Sequence, residues 1–242
     1  MVRPPSPQEE DRRRICRERK TLLAERIEHV NRIKGLLFAQ GVFDYEPLHR
    51  NRRTRLDALR TGDGRALPDH LRAQIGRELD RLDLVVAQLK AVEAERDALL
   101  EQTPEIIPVS ARTLATLKEV GADHAATIWS EGLFRSFANR RQVAAYAGLA
   151  PTPWQSGSVD HEQGVSKAGN RRLRTAMIQL AWLWLRHQPG SALSRWFHER
   201  VRRYGGRLRK TTIVALARKL LIALWKYANA GVVIEGAVMK AL

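Results

Sequence analysis

The sequence predicts an all-α protein: a long antiparallel helical hairpin or coiled coil, then a compact helical domain with a helix-hairpin-helix-like element. Apolar residues recur at three- and four-residue steps through two long segments, 8–40 and 68–101. Shorter helical patterns, punctuated by Asn, Gly and Pro, fill most of 110–230. No run alternates β-branched and polar residues as a half-buried sheet strand does.

In the first segment Leu23, Ile27, Val30, Ile33 and Leu37 make a stripe with charged residues between them. Gly41 is a helix stop, and GVFDYEPLHR reads as a turn in which Phe43 and Tyr45 fold back. A short basic helix is expected over 52–60. GDGRALPDH then breaks the chain, and Pro68 or Asp69 opens the second long helix, which runs to about Glu101. Its seam is Leu71, Ile75, Leu79, Leu82, Val86, Leu89 and Val92. Two long helices joined by a ~25-residue connection suit an antiparallel hairpin. A two-helix seam buries little apolar surface, so the arm is expected to form homo-oligomers as well; a simple bundle arm is the alternative.

TPEIIP marks the boundary, giving an arm over 1–103 and a helical domain over 104–242. Short helices are expected at 110–119, 122–131 and 139–147, the last capped by Asn139 with Gln142 three residues on. A loop over 148–166 leads to a helix from about Lys167 to Arg186. After QPGSA comes a helix over 192–204, a Tyr204-Gly205-Gly206 turn, and an amphipathic helix from Lys210 to Ala230 that stops at Gly231.

Charge separates the two halves. Residues 1–103 carry 21 basic and 18 acidic side chains, a net +3, whereas 104–242 carry 21 and 8, a net +13. Clustered Arg and Lys of this kind are the footprint of a polyanion, and nucleic acid is the expected partner. Cys16 is the only cysteine, which excludes an internal disulfide and a cysteine metal cluster and fits a reducing cytoplasm. MVRPPSPQEEDRRR lacks the apolar core of a secretory signal. The most apolar stretches, Met177–Leu185 and Thr212–Trp225, are too short or carry Arg218 and Lys219, so no membrane span is expected.

The densest chemistry lies in AGLAPTPWQSGSVDHEQGVSKAGNRRLR, residues 147–174. Ser156 sits in a Pro- and Gly-punctuated loop, where turn chemistry is the ordinary role and nucleophilic attack the sharper one. His161 is the nearest candidate base, Ser158 is a rival hydroxyl, and Ser166 suits the cap of the next helix. Lys167, Asn170, Arg171, Arg172 and Arg174 crowd the start of that helix, with Gly164 and Gly169 allowing close backbone approach. Cations there oppose the helix dipole, so an outside anion is expected to offset them. A second basic set, Arg200, Arg202, Arg203, Arg207, Arg209 and Lys210, brackets the Tyr204-Gly-Gly turn. Contact with roughly six to ten phosphates would make binding fall steeply with salt.

LKEVGADHAATIWSE, residues 117–131, has the form of a helix-hairpin-helix, which grips phosphates through backbone N–H groups. Glu119 replaces the usual glycine, which leaves a packing hairpin as the other reading. Trp182, Trp184, Trp196 and Trp225 sit in apolar runs and are expected in the core rather than on bases. The eight carboxylates beyond Thr103 are scattered, and none has two-metal spacing.

RSFANRRQVAAYAGLAPTPWQSG, QGVSKAGNRRLRTAMIQLAWLWLR and ALARKLLIALWKYA together resemble the C-terminal domain of the insertion sequence 110 family of DEDD-type transposases. The long helices before them resemble that family's coiled-coil segment, and the resemblance runs from about Asp11 to Ala237. It implies a RuvC-like domain whose acidic residues bind Mg2+ in full members, and a serine that attacks DNA to give a covalent intermediate. A structured guide RNA selects the target and donor DNA. The serine of the family's SG motif falls on Ser156, although the residue before it, often serine, is Gln155 here. The metal-binding acids are missing from this sequence, so the resemblance implies a truncated or split transposase that binds DNA, holds no metal itself and does not transpose alone. A non-catalytic nucleic-acid-binding, oligomerising remnant or regulator of an intact transposase is the alternative. A ribosomal-type RNA-binding protein would explain the charge but not the SG loop.

Overall fold

The computed structural model describes residues 4–101, 113–118, 120–156 and 159–240, with the backbone alone described for 100–101, 152–156 and 159–163. It is helical throughout apart from one small ribbon: α1 (Pro7–Phe38), α2 (Arg52–Ala58), α3 (Asp69–Glu101), α4 (Ala122–Ile128) continued by a π turn (Trp129–Leu133), α5 (Arg140–Tyr146), β1 (Pro151–Ser156), β2 (Val159–Val165), α6 (Arg171–His187), α7 (Ala192–Arg203) and α8 (Arg209–Ala230). The chain packs as two compact units, Arg17–Glu95 and a second made of Met1–Cys16 with Arg96–Leu242. The start of the chain packs with the C-terminal residues. The reason is local: Arg13 Nε donates to the Ser130 carbonyl at 2.9 Å and its guanidinium lies 4.4 Å from the Phe134 ring centroid.

In the 17–95 unit, Ile33 and Leu37 of α1 bury against Ile75, Leu79 and Leu82 of α3, with Tyr45, Leu56 and Leu67 closing the end. The paired residues run in opposite senses, Arg19 with Glu93 and His29 with Glu78, so α1 and α3 are antiparallel. The stripe on α1 is shifted from the expected one: Leu22 is buried whereas Ile27 is 53% exposed. Of the two turn aromatics only Tyr45 folds inward, its hydroxyl donating to the Arg52 carbonyl at 2.8 Å. Phe43 stays out and meets Phe38 edge-on at 5.2 Å.

The core of the other unit is built on α6 and α8, where Leu173, Met177, Leu180, Ala181 and Trp184 face Leu216, Ala217, Leu220, Leu221 and Leu224. Side chains cap the helices as their sequences direct: Asn139 accepts from Arg141 and Gln142 N–H, and Ser191 from Ser194 N–H. Ser191 Oγ also takes the Trp184 indole N–H at 2.8 Å, fixing the largest buried side chain to the start of α7. Gly231 ends α8 as expected.

The 117–131 hairpin is packed from within. Lys118 N–H donates to the Val238 carbonyl, Gln188 Nε2 to the Lys118 carbonyl, and Lys240 Nζ to the carbonyls of Ala115 and Val120. Its second helix is only seven residues long before the π turn. Glu119 lies outside the described residues. No described helix is long and apolar enough to cross a membrane.

Candidate nucleic-acid interface

The expected loop over 148–166 contains a two-stranded antiparallel ribbon. Its register pairs Pro151 with Val165, Pro153 with Glu162, Trp154 with His161, Gln155 with Asp160 and Ser156 with Val159, with an irregularity between Pro151 and Pro153. Two prolines and few β-branched residues conceal this strand from a pattern search. Both strands of a two-stranded ribbon are edges, however, so prolines that would disrupt a sheet interior are tolerated. Ser156 ends β1, and Gly157 and Ser158 lie outside the described residues. His161 takes its register position opposite Trp154, not Ser156.

The ribbon is anchored where the AYAGL and SKAGN segments meet backbone to backbone. Gly169 has φ 149°, and a β-carbon there would come within 2.6 Å of the Tyr146 carbonyl oxygen and 2.7 Å of Gly148 N. Gly148 has φ 66°, and its β-carbon would come within 3.1 Å of the Lys167 carbonyl carbon and 3.3 Å of the Ala168 carbonyl oxygen. These contacts explain why both motifs carry glycine at this spacing. Asn170 N–H donates to the Tyr146 carbonyl at 2.7 Å, and Ser166 N–H to the Ala150 carbonyl at 2.9 Å, closing the junction on both sides.

This junction moves the helix start. α6 begins at Arg171 with Asn170 as its cap, rather than at Lys167 with Ser166 as cap. Lys167 takes a left-handed conformation with φ 54°, which a helix cannot contain. Its carbonyl accepts from Arg174 Nη1 at 2.8 Å. Asn170 accepts from the N–H groups of Arg172 and Leu173, and its Nδ2 donates to the Glu131 carbonyl and carboxylate at 3.0 and 2.9 Å. The Asn170 side chain is therefore engaged within the fold. It joins α6 to the π turn and positions the cations beside it.

Those cations face solvent. Lys167, Arg171 and Arg172 are exposed, and α6 has no acidic residue in its first turn. Among the described residues no carboxylate lies within ion-pair distance of these three, nor of Arg207, Arg209 or Lys210, which are also exposed. The positive end of the α6 dipole adds to the same field. At 100° per residue, Arg171, Thr175, Ile178 and Trp182 fall on one stripe of α6, about 16 Å long. Trp182 at the far end is 39% exposed, and the Arg209 guanidinium covers it at 5.3 Å from the ring centroid. The stripe thus joins the two basic groups that sequence alone left separate.

The tryptophans divide accordingly. Trp184 is fully buried, and Trp196 and Trp225 pack partly against the core. Trp182 is a surface residue, contrary to the expectation of core packing. The signal is its helical phase: 173, 177, 180, 181 and 184 form the buried face of α6, and 182 shares the phase of Arg171 instead.

Among the described residues no three His, Cys, Asp or Glu side chains converge where a metal ion could sit. Cys16 is packed near Trp129 and Ser130, and burial pushes its thiol pKa up, away from the reactive thiolate.

Residues 111–196, which hold the ribbon and all of α6, match the model of the Transposase IS116/IS110/IS902 family. A candidate transposase of Sinorhizobium fredii is 68% identical over 248 residues, covering 99% of this chain and 63% of that protein. The 43.6 kDa protein of insertion element IS110 from Streptomyces coelicolor is 33% identical over 155 residues, 64% of this chain and 36% of its own length. The transposase for insertion sequence element IS1111A of Coxiella burnetii is 35% identical over 98 residues, 40% of this chain and 26% of its own. The chain spans 63% or less of the length of each of these three relatives. By its matched segment and by these relatives, the chain is similar to transposases of the IS110/IS116 family.

Proposed function

We propose that this chain is the serine-bearing part of a DNA transposase, holding DNA on the cations of 167–174 and 207–210 while Ser156 attacks a phosphodiester. The Ser156 oxygen forms a bond to phosphorus, the bond from phosphorus to one sugar oxygen breaks, and the hydroxyl proton ends on that sugar oxygen. The resulting serine–DNA ester keeps the energy of the broken bond, so a DNA hydroxyl can displace the serine and complete strand transfer. The observation that carries this reading is the family match over 111–196, which includes both Ser156 and the Lys167–Arg174 cations. The described residues do not fit the divalent metal that the family resemblance implies. In this proposal its carboxylates come from a complementing domain.

A structured guide RNA and a second copy of the chain complete the proposed assembly, which works in the cytoplasm. The exposed Phe38 and Phe43 support self-association through the arm.

The test mixes the chain with a metal-bearing family domain, guide RNA and DNA, then looks for a denaturation-resistant protein–DNA adduct. The expected adduct disappears in Ser156→Ala. An adduct that persists in that variant overturns the assignment. Salt-dependent binding with no adduct from the unaltered chain favours a non-catalytic nucleic-acid binder instead.

A further inference from the structure

Trp196 and Arg200 of α7 and Tyr204, the cap that follows it, are spaced four residues apart and form a ladder of ring, guanidinium and ring. The Arg200 guanidinium carbon lies 5.8 Å from the centroids of both rings, and Lys219 Nζ from α8 lies 4.7 Å from that of Trp196. Trp196, Arg200 and Tyr204 line an open depression together with Glu199 and Arg203. Tyr204 at its outer end is 47% exposed. Glu199 is the only carboxylate lining it and pairs with Arg203 at 3.5 Å.

This composition selects among nucleic-acid forms. Reading a duplex groove calls for donors and acceptors aimed at base edges, which Trp, Tyr and arginines already lying over rings supply poorly. A surface ring beside guanidinium groups instead offers a flat partner for a base face, with cations beside it for the neighbouring phosphates. Bases present their faces only when unpaired. We infer that the Trp196–Arg200–Tyr204 face of α7 binds unpaired nucleotides, stacking a base on Tyr204 and holding the adjacent phosphates with Arg200 and Arg203. The site rests on the nucleic-acid reading above but not on the chemistry of Ser156. Stacking uses a feature common to all bases, so recognition here is tolerant of sequence.

The experiment measures binding of the full chain to single-stranded DNA, single-stranded RNA and duplex DNA of one sequence, each carrying 2-aminopurine. Stacking quenches that base, so the single strands are expected to lose fluorescence on binding. Tyr204→Ala should remove the quenching and weaken single-strand binding about tenfold, with duplex binding changed by less than about twofold. Tyr204→Phe, which keeps the ring, should restore both, and circular dichroism of the two variants checks that α7 is intact. Preference for either the RNA or the DNA strand supports the site and names its source. Unchanged single-strand binding and quenching in a folded Tyr204→Ala, or an equal loss on duplex, overturns the site alone. Failure of the unaltered chain to bind any of the three probes overturns the nucleic-acid reading with it.

Discussion

The 17–95 unit and the C-terminal residues from 104 onward are both rich in arginine, but they compensate it differently. In the 17–95 unit the cations meet carboxylates: Arg19 meets Glu93, Arg32 meets Glu28 and Glu78, Lys34 meets Glu46, Arg52 meets Asp83, and Arg53 meets Asp80 and Asp83. In the C-terminal part Arg195 and Arg203 meet Glu235 and Glu199, but other cations lie over rings, as Arg135 over Tyr146 and Arg209 over Trp182, or reach carbonyls, as Arg174 reaches Lys167. A ring or carbonyl orients a guanidinium without cancelling its charge. With 16 cations against 13 carboxylates in 17–95, and 21 against 8 from 104 onward, one surface is close to neutral and the other has a strong positive field. Partnering, more than count, decides which surface attracts a polyanion.

The sharpest break of this contrast lies at the glycine junction that presents the cations. Gly169→Ala forces a β-carbon onto three backbone atoms at 2.6–2.9 Å in a conformation that L residues rarely adopt. It should destabilise the C-terminal unit by about 3 kcal/mol. All six tryptophans lie between 129 and 225, so urea unfolding followed by tryptophan fluorescence reports on that unit and not on 17–95. An unchanged midpoint would show that the junction can open without cost.

In the other region the corresponding change is Glu78→Ala. The Glu78 side chain is 4% exposed and holds His29 at 2.7 Å and Arg32 at 3.2 Å. Burial pushes its carboxyl pKa up, but hydrogen bonds from His29 and Arg32 outweigh that and leave it below the ordinary value of 4.5. A depressed pKa contributes stability that is present above the unfolded pKa and lost as pH falls through the folded one. The variant should cost about 2 kcal/mol at neutral pH, less than a fully buried pair because Arg32 and Arg81 reach solvent. It should also flatten the acid branch of the stability profile followed by far-ultraviolet circular dichroism. A parallel acid branch would remove Glu78 from the account.

The long helices were legible because period-3.6 stripes, Gly stops and Asn or Ser caps are local signals, and α1, α3, α7 and α8 begin and end within about two residues of where the pattern puts them. The ribbon was not legible: its pairing depends on a partner strand, and its prolines hide it. The start of α6 was misread because Lys167 is excluded from the helix by the contact between Gly148 and Gly169, residues distant in sequence. The charged set at 167–174 was visible as composition. Its connection to Trp182 and Arg209 was not, since it requires knowing which face of α6 is buried. Ser156 came from family resemblance, and no local pattern around it marks a nucleophile.

A smaller effect tests the partnering rule itself. Arg171→Ala and Arg172→Ala remove exposed cations with no carboxylate beside them among the described residues, so each should lower the slope of log K against log salt for duplex DNA by about 1. Arg53→Ala removes a cation already paired with Asp80 and Asp83, and should leave the slope unchanged. Binding isotherms at several salt concentrations decide the matter. Equal slope changes in all three variants would mean that net charge, not partnering, governs binding.

The least effect is expected at Asp63. Hydrogen bonds from Arg65 and then Thr61 hold its carboxyl pKa far below the ordinary range, which taken alone suggests a strong contribution to stability. The group is fully exposed, however, and solvent and salt screen the pair. The sign is that of a depressed carboxylate, with any contribution present at neutral pH and lost only in strong acid. Asp63→Asn should therefore leave the unfolding midpoint of the 17–95 unit unchanged within error at neutral pH. It should also leave DNA binding as it was, although it frees Arg65 and raises the net charge by one. Tighter binding in that variant would show that even an isolated cation on the 17–95 unit reaches the polyanion once its carboxylate is gone, and would extend the interface beyond the α6 stripe.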